Sequence, residues 1–211
     1  MICFRIILFV HPYYHWLRSK PPCETRMPLE FKPKYEKIVE LLLYLAHKRP
    51  GADKYQAVKF FYLADREHLI RYGRPISFET YYALSYGPVA STVLDLLNGN
   101  PWMLKRVGIE KLPFETELND KTTVIGKPLR EVKKELFSKS DFKIFDEIVD
   151  HYRDASFDDL FKATHEHYAW RNAWNTRRQG QRAEMYYDEM IDDEQKRAAL
   201  LEDFLPVASK M

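Results

Sequence analysis

Residues 53–74, DKYQAVKFFYLADREHLIRYGR, read as a helix that is apolar nearly all round, and that constrains the fold more than any other stretch. Asp53 suits its N-cap, because a short acidic side chain accepts first-turn N–H groups, and Gly73 suits its exit, because glycine tolerates the left-handed conformation. At 100° per residue, Ala57, Val58, Phe61, Tyr62, Asp65, His68, Leu69 and Tyr72 fall on one arc. Phe60, Leu63, Ala64 and Ile70 occupy much of the other side, which leaves water a thin strip at Lys59 and Arg66. Such a helix has to be covered from several directions, so the rest of the chain is expected to wrap it. Asp65 lies mid-arc, where an unpaired carboxylate is expensive; a tyrosine hydroxyl, a backbone N–H or an arginine is its expected partner.

A chain of 211 residues suffices for one domain with a full core plus end segments. Its net charge of +2 is the difference of 33 basic and 31 acidic side chains, which argues against nucleic acid as a partner of the whole molecule. Cys3 and Cys23 have neither disulfide-framework nor zinc spacing, which suits a reducing cytoplasm. The aromatic share of 15% fits a compact core or a tyrosine-rich binding surface.

Along the chain, residues 1–27 read as an N-terminal extension, disordered or added by an upstream start, since the apolar run 2–10 is too short for a membrane span and lacks a signal-peptide pattern. A first helix is expected over 35–48, closed by Pro50-Gly51. Phe78 to Leu84 favour a short strand, and Tyr86-Gly87-Pro88 reads as a turn with Pro88 at the first position of a helix running to Asn98. The stretch 102–128 alternates around an Asn119-Asp120 turn and is expected to pair with the Tyr81 region in one small antiparallel sheet. Ser140 and Ser156 are expected to cap two further helices, the second with Asp159 completing an aspartate capping box. A charged helical tail is expected over 177–211, its last helix beginning at Asp192-Asp193 with Ala198, Leu201, Phe204 and Leu205 as its apolar side. The fold class that results is α+β, mainly α: a helical domain around a buried central helix with a small antiparallel sheet.

No constellation rises to catalysis. His165-Glu166-His167 sets its imidazoles roughly 200° apart on a helix, and HExxH is absent, so no metal site is expected and a metal-dependent hydrolase centred on His165 and His167 is a less favoured alternative. Asp65 and His68, three residues apart on one face, have the spacing of a charge-assisted pair, which a satisfied core explains without chemistry. No nucleophile elbow, phosphate loop or dinucleotide fingerprint occurs, and no cofactor is expected. Arg171, Arg177, Arg178 and Arg182 follow the aromatic pair Trp170 and Trp174, but acidic residues come at once behind them, which weakens a DNA-binding or RNA-binding reading. Arginine and tryptophan are favoured anchors between proteins.

Three blocks carry a resemblance: KFFYLADREHLIRYGRPI at 59–76, YYALSYGPVASTVLDLL at 81–97 and ATHEHYAWRNAW at 163–174. In that order they resemble the signature blocks of the Panacea domain, the SocA-like antitoxin family of bacteria and phages, over about residues 34–176 within a 28–176 domain. The resemblance implies a non-enzymatic, cytoplasmic, prophage-type antitoxin whose partner is a cognate toxin protein, neutralised by direct binding. A second branch of the family implies an adaptor that delivers its toxin to a cytoplasmic protease; a DNA-binding regulator is a more distant alternative. Asp65, Tyr86, Gly87, Pro88, Thr164, His165 and Trp170 match the family's motif positions, and the resemblance implies that they mostly fix the fold. Ala169 stands where the family usually has a proline before the tryptophan. Contacts with the toxin are expected at exposed positions and after the domain, with Arg66, Tyr82, Arg171, Trp174, Arg177 and Arg178 as candidates.

Overall fold

The computed structural model describes residues 31–119 and 122–208, with side chains to 202. The extension expected at 1–27, the Asp120 side of the expected turn, and the apolar positions Phe204 and Leu205 lie outside what is described. Eight helices and five short strands are present among the described residues, an α+β fold that is mainly α. None of these helices is long and apolar enough to cross a membrane.

Helix α1 (Tyr35–Lys48) buries Ile38, Leu41, Leu42 and Leu45, and α2 (Lys54–Tyr72) forms the centre. The N-cap of α2 is Asp53, whose side chain accepts from the Gln56 N–H while the Gln56 side chain accepts from the Asp53 N–H. Gly73 leaves the helix at φ 72°, the left-handed exit that glycine adopts without strain. Strand β1 (Tyr81–Leu84) lies in the middle of a three-stranded antiparallel sheet, between β2 (Gly87–Ala90) and β5 (Ala183–Met185). Strands β3 (Phe114–Asn119) and β4 (Thr122–Pro128) form a separate hairpin. Helices α3 (Ser91–Leu97), α4 (Pro101–Val107), α5 (Lys139–His151), α6 (Phe157–His165), α7 (Tyr168–Thr176) and α8 (Glu194–Ala208) complete the order. Helix α2 packs on α3, α5, α6, β2 and β4, so its apolar circumference is covered from several sides.

Several expectations need correction. Pro88 does not open a helix: it belongs to β2, because Gly87 at φ 97° closes a β-hairpin in which Leu84 pairs with Gly87 and Ala83 with Pro88. Helix α3 starts only at Ser91. The alternating reading of 102–128 fails at its start, where Asn100 caps the first N–H groups, Pro101 sits at the first position and Gly108 ends helix α4. The β3–β4 hairpin does not join the Tyr81 sheet; it is tied to the α1–α2 turn through Ile125 N–H to Ala52 O and Gly51 N–H to Ile125 O, both 2.8 Å. The cap of α5 is Ser138 rather than Ser140, with Asp141 returning the hydrogen bond, whereas Ser156 and Asp159 form the expected box on α6. The tail is not helical throughout: its last helix, α8, begins at Glu194, directly behind the expected Asp192-Asp193 start, with Asp193 accepting the Gln195 and Lys196 N–H groups. Ahead of it, β5 pairs with β1, and Tyr187, Met190 and Ile191 enter the core.

Candidate docking site

Asp65 is fully buried in the middle of α2 and accepts hydrogen bonds from two backbone and three hydroxyl donors. Its Oδ1 takes the N–H groups of Ile76 (2.9 Å) and Ser77 (2.8 Å); its Oδ2 takes the hydroxyls of Ser77 (2.5 Å), Tyr81 (2.9 Å) and Tyr187 (3.2 Å). Burial outweighs these bonds and leaves the Asp65 pKa raised. The carboxylate thereby pins the connection from α2 to β1, a segment in which Phe78 is held at φ 57°. Glu79, also buried, receives the Thr80 N–H, the Thr92 hydroxyl and the Val93 N–H, and burial pushes its carboxyl up to about 7.

His68 does not pair with Asp65. Its ring faces Arg74 O at 2.7 Å and the Asp141 carboxylate at 3.1 Å, in a second buried cluster. Asp141 also accepts from Lys37 (2.7 Å) and Arg74 (2.8 Å). Burial alone would raise its pKa, but the hydrogen bonds from His68, Lys37 and the Ser138 N–H win and hold the carboxyl far below the usual range. This cluster ties α1, α2 and α5 together.

The third constellation lies at the β1–β2 hairpin, where the motif side chains converge on the backbone of one turn. The Trp170 indole donates to Leu84 O at 3.0 Å, and the Lys59 ammonium donates to Pro88 O at 2.8 Å. His165 directs Nε2 at Ser85 O (3.3 Å) and Nδ1 at Phe161 O (2.6 Å), and burial lowers its pKa against the opposing pull of the two carbonyls. The Thr164 hydroxyl donates to Leu160 O at 2.8 Å within its own helix. Gly87 is hemmed in: a Cβ there would stand 2.8 Å from Lys59 Nζ, 3.0 Å from His165 Cε1 and 3.0 Å from Thr164 Oγ1. Lys59, placed by its helical position in a watery strip, is in fact buried, and desolvation lowers its pKa to about 7.

Rings run in a column along this clamp. Tyr55 stacks on Phe157 (centroids 4.6 Å apart), Phe157 meets Phe161 (5.9 Å), Phe161 stacks on His165 (3.6 Å), His165 meets Trp170 (3.9 Å) and Trp170 stacks on Trp174 (5.5 Å). Positions 157, 161 and 165 are four apart on α6, and 170 and 174 four apart on α7, which aligns them on one face of each helix. The column surfaces at the hairpin tip. Tyr86 is 64% exposed and Phe157 47%, and the two rings meet edge to face at 5.8 Å. At the other end the Arg177 guanidinium lies 3.2 Å from the Trp174 ring centre.

The remaining expected contact residues are not gathered in one place. Arg66 bridges to Asp192 at 2.6 Å with its side chain mostly covered. Tyr82 is half-buried with the Arg182 guanidinium 4.2 Å above its ring. Arg171 and Arg178 are exposed. His165 and His167 do not share a ligand geometry, since the His167 ring faces the Tyr62 hydroxyl at 3.1 Å, and burial lowers its pKa to about 4. Among the described residues no group of three His, Cys, Asp or Glu could hold a metal ion.

Sequence reasoning missed Lys59, Glu79, Tyr187 and the Tyr55–Phe157–Tyr86 cluster. The four-residue spacing of Phe157, Phe161 and His165 was a signal for the column; nothing local marked Glu79 or Tyr187. A helical domain with a hairpin clamped by lysine, histidine and tryptophan is the class these features define. The family model for the SocA-like antitoxin, Panacea domain, matches residues 58–171, more than half of the chain, and the protein belongs to that family. No curated protein and no solved structure matches it.

Proposed function

We propose that this protein is a non-enzymatic, cytoplasmic antitoxin that silences a cognate toxin by binding it directly. Membership of the antitoxin-like family supports a role in a toxin–antitoxin system in general. The observation that carries the finer reading is the hairpin clamp. Lys59, His165 and Trp170, the side chains that invite a chemical role, spend their polar atoms on backbone carbonyls of one turn, and that turn holds Tyr86 out to solvent. Asp65, Gly87, Pro88, Thr164, His165 and Trp170 accordingly build and hold the body, Tyr86 is the motif side chain that the turn presents, and Tyr82, Arg171, Trp174, Arg177 and Arg178 are further positions for contact, with Arg66, bridged to Asp192, the least accessible of the expected contacts. Neutralisation by occupancy needs an affinity of about nanomolar, roughly 12 kcal/mol of binding free energy.

Co-expression with the product of the neighbouring gene tests the proposal. The expected result is a toxin lethal alone, harmless beside this protein and present at undiminished level. A harmless partner, or one that stays lethal, would sink it. A toxin level that falls only when a cytoplasmic protease is present would replace blocking by delivery for degradation.

A further inference from the structure

The connection from α7 to β5 gathers arginines that meet no carboxylate. Arg177 caps α7, and Gln181 N–H to Arg178 O at 3.0 Å closes a turn in which Gly180 stands at φ 76°. A turn of this kind keeps its first and fourth Cα atoms within about 7 Å, so Arg177, Arg178 and Arg182 share one short, closed loop. Elsewhere Arg66, Arg71, Arg74, Arg130 and Arg153 each meet an acidic side chain, whereas the three arginines of the turn form no ion pair among the described residues. Two of them are seated on rings instead. The Arg177 guanidinium lies 3.2 Å from the Trp174 ring centre and donates to Trp174 O, and that of Arg182 lies 4.2 Å from the centre of the Tyr82 ring. A guanidinium held on an aromatic face has already lost part of its freedom, so its N–H fork receives a carboxylate at lower entropic cost. Arg178 and Arg182 are exposed and Arg177 is half-buried.

Acidic groups on the elements packed around α7 and β5 are engaged elsewhere. Glu189 accepts from the Asn172 amide at 2.7 Å, and neither Glu184 nor Asp188 is without a partner. Asp192 bridges to Arg66 and accepts the Tyr168 N–H, and Asp193 accepts the first N–H groups of α8. On α6, Asp159 closes the capping box and Asp158 stands near Tyr55. Glu166 follows α6, and the nine residues of α7, about 13 Å of helix, separate it from Arg177. Three guanidiniums without a carboxylate are therefore left together, the arrangement that takes carboxylates by charge-assisted, bidentate hydrogen bonds. Single-stranded nucleic acid is the competing occupant, and it needs open ring faces for its bases. Here the Trp174 ring already carries Arg177 and, at 5.5 Å, Trp170, while Tyr82 carries Arg182.

We infer that Arg177, Arg178 and Arg182 form the docking site for an acidic segment of the toxin, whose Asp or Glu carboxylates meet the guanidinium forks, with Trp174 and Tyr82 as the platforms that hold two of the three. This rests on the antitoxin reading above.

Calorimetric titration of the full chain with the neighbouring gene's product decides it. Arg178→Glu with Arg182→Glu is expected to raise Kd about 10-fold or more and to flatten the weakening by salt that the unaltered protein shows. Both side chains are exposed, so the fold is expected to survive, and circular dichroism checks it. Arg177→Lys with Arg182→Lys keeps the charge but loses the planar fork and its seat on the ring, and is expected to raise Kd about 3-fold to 5-fold. Lys105→Glu with Lys111→Glu, exposed positions on and after α4, changes net charge by the same amount and is expected to leave Kd within about twofold. If the unaltered chain binds and the arginine reversal weakens binding no more than the lysine control does, the docking site is wrong and the antitoxin reading stands. If the unaltered chain does not bind, both fall. A single-stranded oligothymidylate that binds the unaltered chain and is released by the arginine reversal, while the toxin stays bound, would assign the turn to nucleic acid and overturn the inference.

Discussion

Tyr187 reaches back across 122 residues of chain to donate its hydroxyl to the Asp65 carboxylate at 3.2 Å. The same hydroxyl lies 2.8 Å from Glu79 O, so one phenol ties the C-terminal stretch to both the central helix and the segment that leads into the sheet. Met185, two residues before it at the end of β5, pairs with Tyr81 and is buried.

That relationship makes the stretch after Gln181 part of the body. Tyr187→Phe is expected to cost about 1–2 kcal/mol, one to two net hydrogen bonds. Ending the chain at Gln181 uncovers Tyr81 and removes β5, and is expected to abolish cooperative unfolding; urea titration followed by circular dichroism reads both.

Substitutions at Asp65 should rank by what they orphan. Asp65→Ala leaves the buried N–H groups of Ile76 and Ser77 without an acceptor and is expected to cost about 3 kcal/mol or more. Asp65→Asn can keep its oxygen on those amides and turn its NH₂ to the Ser77, Tyr81 and Tyr187 hydroxyls, which are able to accept. Its expected cost is smaller, about 1–2 kcal/mol by the same reasoning. Equal losses for the two variants would contradict the assigned hydrogen bonds.

Gly87→Ala meets two obstacles, a backbone at φ 97° and a crowded space in front of it. The strained backbone alone costs about 1–2 kcal/mol, and moving the Lys59 ammonium off Pro88 O adds to it. A drop in thermal midpoint, with loss of the Trp170 fluorescence signature of the docked indole, is the expected outcome.

Lys59 gives the protein a pH dependence of predictable sign. Its ordinary pKa of 10.5 in the unfolded chain falls to about 7 in the fold. Between those values the unfolded state binds a proton that the folded state does not, so stability rises with pH across that window. Glu79, raised to about 7, is only half titrated at pH 7 and works against this rise until about pH 8, while the buried tyrosines act only above 10. Urea midpoints are therefore expected to rise between about pH 8 and 9, and Lys59→Met should remove most of that rise.

At the acid end the sign comes from Asp141, whose carboxyl is held well below its ordinary 3.8. The stability it contributes is present above about pH 4 and fades as pH falls below that. Asp141→Asn should destabilise at neutral pH by about 2–4 kcal/mol, because Lys37, His68 and Arg74 lose a shared anion, and should flatten the acid limb of the unfolding curve.

What could be read from the sequence was local. Helix α2 with its Asp53 cap and Gly73 exit, α1, and the Ser156 box on α6 follow from side chains that act within four residues of themselves, and the family blocks at 59–76, 81–97 and 163–174 are contiguous text. The fate of Lys59 was not legible, because a lysine on a helix faces water or protein according to what packs there, and that is α6 and a hairpin closed by a glycine. Pairing was equally hidden. Strand β5 joins β1 from about 100 residues away, and the β3–β4 hairpin attaches to the α1–α2 turn instead, since short strands carry no address in their own residues. Local pattern was enough for a buried helix, its caps and its motif residues. Which polar groups became partners, and which aromatic rings were left facing water, followed from packing, because hydrogen bonds and burial between distant segments depend on distances that no local pattern encodes.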